Sequence, residues 1–158
     1  MDERQYVQLK ELIWRRCGGG RGRQSSDADI EKLSRVLGAV VPQWYKRLLL
    51  DTPLAGSVFE YSGEDNWSWT FEWLDAKQTI DEAVSMIPGM VAVKRGYIPV
   101  GECLLGSGDP LFMTNDPGDP KLVQIFHDVC DVDGELIDKS TKLVCSSLAK
   151  FIATSRII

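Results

Sequence analysis

Along the first third of the chain, hydrophobic positions recur with the period of a helix. Tyr6, Leu9 and Ile13 stand at i, i+3, i+7 and predict a helix over residues 3–16. Ser26 and Asp29 have capping-box spacing; Ile30, Leu33 and Leu37 then line one face of a second helix, which Gly38 can stop. Pro42 suits the first position of a third, with Trp44, Tyr45, Leu48 and Leu49 as its buried stripe. The period then drops from 3.6 to 2. Residues 57–61 read as a strand. In residues 67–73, Trp67, Trp69, Phe71 and Trp73 share one face, with Ser68, Thr70 and Glu72 on the other. Gly63–Asn66 supplies the turn of an antiparallel hairpin.

Thr79 and Glu82 again have capping-box spacing and predict a helix over residues 80–87, ended by Pro88-Gly89. Short apolar runs follow at Met90–Val93, Tyr97–Val100, Pro110–Thr114 and Leu122–Phe126, separated by turn residues. Asp133-Gly134 marks a further hairpin. A last helix is expected from near Ser140, with Val144, Leu148, Phe151 and Ile152 inward. Helices first, then a meander of strands with one helix inside it, then a closing helix: this order predicts an α+β fold with a mostly antiparallel sheet. Four glycines in residues 17–26 mark a flexible linker, so the chain divides into an N-terminal helix and linker, 1–26, and a domain, 27–158.

Composition narrows the class. With 44% hydrophobic and 26% charged residues in 158, the chain is globular rather than disordered. No run approaches the roughly 18 apolar residues of a membrane span, and the charged start leads into no secretory h-region, so a cytoplasmic protein is expected. Net charge is −5, unevenly spread. Residues 1–24 hold six Lys/Arg against three Asp/Glu, whereas residues 102–138 hold nine Asp/Glu against Lys121 alone. An acidic body repels phosphate backbones, which excludes nucleic acid as its expected ligand and suits a basic protein partner. A solvated acidic surface that only aids solubility is the plain alternative.

Candidate chemistry is sparse. Cys17, Cys103, Cys130 and Cys145 form no CxxC pair and His127 is the single histidine, so no zinc site is expected. Gly18–Gly22 lacks the Gly-Lys-Ser/Thr of a phosphate loop, and Gly101–Asp109 lacks its lysine. Asp128–Glu135 resembles half a calcium loop, but with Gly134 at the sixth position the first and twelfth ligands would be Val129 and Ser140. His127 and Cys130 lie three apart, which on a strand points them to opposite faces. Neither metal, cofactor nor catalytic residue is assigned.

The string Asp29-Ile30-Glu31-Lys32-Leu33-Ser34-Arg35-Val36-Leu37-Gly38-Ala39-Val40-Val41-Pro42-Gln43-Trp44-Tyr45-Lys46-Arg47-Leu48-Leu49 resembles the opening of SMI1/KNR4 domains, the SUKH superfamily. Gly96–Glu102 and Gly108–Met113 are similar to the family's Gly and Gly-Asp segments, Leu122–Asp128 to the strand after them, and Leu148–Ile152 to its closing helix. The resemblance spans about residues 27–154. It implies a single domain with a curved, mostly antiparallel sheet and flanking helices. It also implies a role without catalysis: bacterial members are regarded as immunity proteins that neutralise polymorphic toxins, often nucleases, and a fungal relative is a scaffold in cell-wall regulation.

The leading expectation is therefore a protein-binding domain that occludes a basic toxin, with Asp116, Asp119, Asp128, Asp131, Asp133 and Glu135 as the partner-binding set. A regulatory scaffold, a small-ligand binder and a carboxylate-dependent enzyme stay open as alternatives.

Overall fold

Four helix starts in the described residues are set by side chains that satisfy the first free amides. The computed structural model describes residues 1–63, 67–129 and 139–158. Asp2 accepts the amide of Gln5 at 2.8 Å and opens α1 (Glu3–Cys17). Ser26 accepts that of Asp29 at 3.2 Å and opens α2 (Asp27–Leu37). Both are reciprocal capping boxes. After a 3-10 turn at Gly38–Val40, α3 (Gln43–Asp51) begins one residue later than expected, with Pro42 extended at the cap position and no side-chain cap bond.

The sheet follows as β1 (Val58–Ser62) and β2 (Ser68–Trp73), then β3 (Tyr97–Cys103), β4 (Leu111–Thr114), β5 (Leu122–Ile125), β6 (Thr141–Cys145) and β7 (Arg156–Ile157). Among the described residues these seven strands lie in the order β6-β5-β4-β3-β2-β1-β7, and every neighbouring pair is antiparallel. Phe59 sits opposite Phe71 and Tyr61 opposite Trp69, so the aromatic face of the hairpin is continuous. The register shifts between Pro99 and Gly101, where proline has no amide to give. The fold is the expected single-domain α+β arrangement.

Trp69, Phe71 and Trp73 face the core with Phe59, Ile98, Val100, Leu111 and Met113. Helices cover this face. Ile30, Leu33 and Leu37 of α2 come in as the periodicity predicts, as do Phe151 and Ile152 of α6 (Leu148–Thr154). Tyr6, Leu9, Ile13 and Cys17 of α1 enter the same core. On the other face, Phe112, Val123 and Ile125 meet Val91 and Ala92 of α5 (Gly89–Ala92), so β4 and β5 are covered on both sides.

Four local expectations are corrected. α4 runs Ala76–Ser85, opened by Asp75 with Gln78; Thr79, the expected cap, is wholly buried inside the helix. Met90–Val93 is helical rather than extended, continuing into a 3-10 turn at Val93–Arg95 that Gly96 ends at φ 84°. The closing helix starts at Leu148 under a Ser147 cap, and residues 141–145 form a strand because β5 offers them a ladder. Trp67 stands just outside β2 and is 52% exposed.

The sheet is strongly curled. In a flat sheet, β2 and β5 would stand about 14 Å apart, three spacings of roughly 4.8 Å. Here the Trp69 indole donates to the Gln124 carbonyl oxygen at 2.9 Å, bridging them across the interior. Lys142 of β6 holds its ammonium 3.8 Å from the centre of the Trp67 ring, one strand farther round.

Candidate protein-binding surface

In an antiparallel meander, alternate connections emerge at the same end. The β1–β2, β3–β4 and β5–β6 connections therefore share one end of the half-barrel, and the β4–β5 connection lies at the other. The shared end carries exposed apolar side chains: Trp67 at 52%, Leu104 at 46% and Leu105 at 61%. Leu104 is held there by its amide, which donates to the Thr70 carbonyl at 2.8 Å. Gly106 and Gly108, at φ 83° and 70°, turn the chain after them in conformations that side chains disfavour. Trp67, Leu105, Asp109, Gln124 and Phe126 border a cleft of about 190 Å³.

Beneath this end a polar chain runs into the interior. Gln124, bridged to Trp69, donates its amide to the Asp109 carbonyl oxygen at 3.2 Å. The Asp109 carboxylate, almost wholly buried, accepts the backbone amide of His127 at 2.9 Å and meets His127 Nδ1 at 2.7 Å. His127 Nε2 lies 2.8 Å from Asp128 Oδ1. The hydrogen bond to Asp109 raises the imidazole pKa above its ordinary value, helped by the charges of Asp128 and Asp109. Both ring nitrogens therefore face carboxylates. Nearby, the Ser107 hydroxyl accepts the Asp109 amide at 3.2 Å and donates to the buried Cys103 sulfur, 3.4 Å away.

The sequence pattern of the SMI1 / KNR4 family (SUKH-1) matches residues 24–154, most of the chain. The chain belongs to this family. No curated protein and no solved structure matches it.

The SUKH domain separates the expected partner-binding set. Asp128 stands at the shared end, 82% exposed. Asp131, Asp133 and Glu135 lie outside the described residues, as do Cys130 and the Asp133-Gly134 hairpin. Asp116 and Asp119 sit in the β4–β5 connection, at the opposite end. Asp116 is exposed beside Arg95 and Tyr97. Asp119 accepts from the Ser147 hydroxyl and from the Ala149 amide, the latter at 3.2 Å, and so supports the start of α6. Sequence reasoning missed Leu104, Leu105 and Asp109. An apolar pair between Gly101 and Gly106 was a usable signal; the pairing of Asp109 with His127, eighteen residues on, had none.

A second cleft of the SUKH domain, about 370 Å³, lies between α4 and the β3–β4 connection, bordered by Glu82, Glu102, Gln78 and Leu74. Burial raises the Glu82 carboxyl pKa, against a hydrogen bond from the Gly89 amide, and the charge of Glu102 adds to the rise. Glu82 Oε1 is shielded from solvent without a hydrogen-bond partner. Among the described residues, no three His, Cys, Asp or Glu side chains gather as a metal-binding group, and no helix is long and apolar enough to cross a membrane.

Proposed function

We propose that this SUKH domain is a non-enzymatic immunity protein that binds a basic toxin domain and blocks it by occlusion. The observation that carries the reading is the coincidence, at one end of the half-barrel, of Trp67, Leu104 and Leu105 with Asp128 and the acid-rich β5–β6 connection. Apolar anchors within a charged rim are the usual anatomy of a protein–protein interface. Family membership supports the same reading. Asp116 and Asp119, in the β4–β5 connection, lie away from this surface.

The test is to sequence the neighbouring genes and co-express this chain with any toxin domain encoded there. The wild-type chain restores growth and forms a stable complex with the purified toxin domain on size exclusion. Trp67→Ala with Leu105→Ala weakens that complex by about 30-fold or more, the scale of losing a hot-spot residue. Binding without rescue of growth would instead assign the chain to a regulatory scaffold.

A further inference from the structure

We propose that His127 is held as an imidazolium between Asp109 and Asp128, a clasp that positions the first residues of the β5–β6 connection and opens when its proton leaves. The geometry favours two ring protons. Nδ1 hydrogen-bonds an Asp109 oxygen at 2.7 Å, and Nε2 makes an ion-pair contact with an Asp128 oxygen at 2.8 Å. A carboxylate only accepts. In a neutral imidazole one nitrogen would turn its lone pair toward a carboxylate oxygen.

The clasp is anchored inward. The same Asp109 oxygen takes the His127 backbone amide, and the Asp109 carbonyl is held by Gln124, itself bridged to Trp69. Asp128, by contrast, is exposed and has only the ring to hold it among the described contacts. Among the described residues, the charges that bear on the ring are Asp109 from the β3–β4 connection and Asp128 from its own turn. β5 presents the neutral Gln124, and Lys142 of β6 is engaged over the Trp67 ring.

The sign follows from the raised pKa. Stabilisation by the clasp is fully present below the ordinary histidine value of about 6.5 and is lost as pH rises through the higher folded value. While the ring keeps its proton, the clasp is closed and Asp128 is fixed.

This inference rests on the reading that this end meets the partner, but its test needs no partner, so either can fail alone. His127 is the only histidine, and its ring gives one set of NMR signals. On the free protein, a pH titration of the ring nitrogens finds both protonated below a midpoint that lies above about 6.5. Asp128→Asn and Asp109→Asn each lower that midpoint. Amide exchange at Asp128 and Val129 quickens as pH crosses it, beyond what base catalysis alone explains, and His127→Gln abolishes that step. A midpoint at or below the ordinary value overturns the clasp. So does a midpoint unmoved by Asp128→Asn, an exposed change that leaves the fold intact even if the buried Asp109→Asn does not. Amide exchange with no step at the midpoint removes the positioning role.

Discussion

Tyr45 and Trp73 are both wholly buried, and the indole N–H of Trp73 donates to the Tyr45 oxygen at 2.9 Å. Burial pushes the Tyr45 hydroxyl well above the usual phenol range, although the indole bond works the other way. Tyr45→Phe keeps the ring and strands that indole N–H, so chemical denaturation should show a loss of about 1–3 kcal/mol. Changing Trp73 as well should add less than the single changes suggest, because the partners are lost together. Glu82 behaves in the opposite sense. Its raised pKa means the fold tolerates the charged form less well than the unfolded chain does, so its penalty appears as pH rises through the ordinary carboxyl range. Glu82→Gln should therefore raise Tm at pH 7, by up to about 3 °C, and leave it unchanged near pH 3. A lower Tm at pH 7 would show that the Gly89 hydrogen bond outweighs desolvation.

At the scale of elements, α1 is tied to α3 by the Glu3–Arg47 ion pair and, at the end of α3, by Asp51. Asp51 accepts the Tyr6 hydroxyl at 2.7 Å and the Lys10 ammonium at 2.9 Å, and its carbonyl takes the Trp14 indole at 2.8 Å. Ile13, on the same helix, is fully buried. Ile13→Ala should cost about 2–5 kcal/mol in a single cooperative transition, as a core deletion does. A separate early transition would show instead that α1 unfolds on its own. Elements set by local rules were legible in the sequence: α2 has its Ser26 cap and its Ile30, Leu33 and Leu37 stripe where the pattern put them. Where two local readings compete, long-range contacts decide. Asp75 with Gln78 prevails over Thr79 with Glu82 because Thr79 occupies a core-facing position of α4. Val144 points inward on a strand as it would on a helix, and only the β5 ladder distinguishes them.

For the whole molecule, the contrast between the two ends is testable. Association with a basic partner should be steered by charge and slowed by salt, since screening shortens from about 10 Å at 0.1 M to about 3 Å at 1 M. Changing Asp131, Asp133 and Glu135 together to amides should lower the on-rate in stopped-flow mixing more than it raises the off-rate. Asp116→Asn, at the far end, should leave both nearly unchanged; an equal effect at the two ends would mean that only net charge matters. The acidic bias was legible in the sequence, but it pooled residues that the meander sends to opposite ends, and chain distance carries no trace of that division. The bridge between Trp69 and Gln124 has a consequence for how such a protein changes over generations. It secures the half-barrel from inside, so the tips at 104–108 bear little of the folding energy. Saturation mutagenesis should find broad tolerance at Leu104 and Leu105 when stability is scored, and almost none at Trp69 or Gln124. A lineage could then rewrite this exposed end repeatedly without having to rediscover its fold.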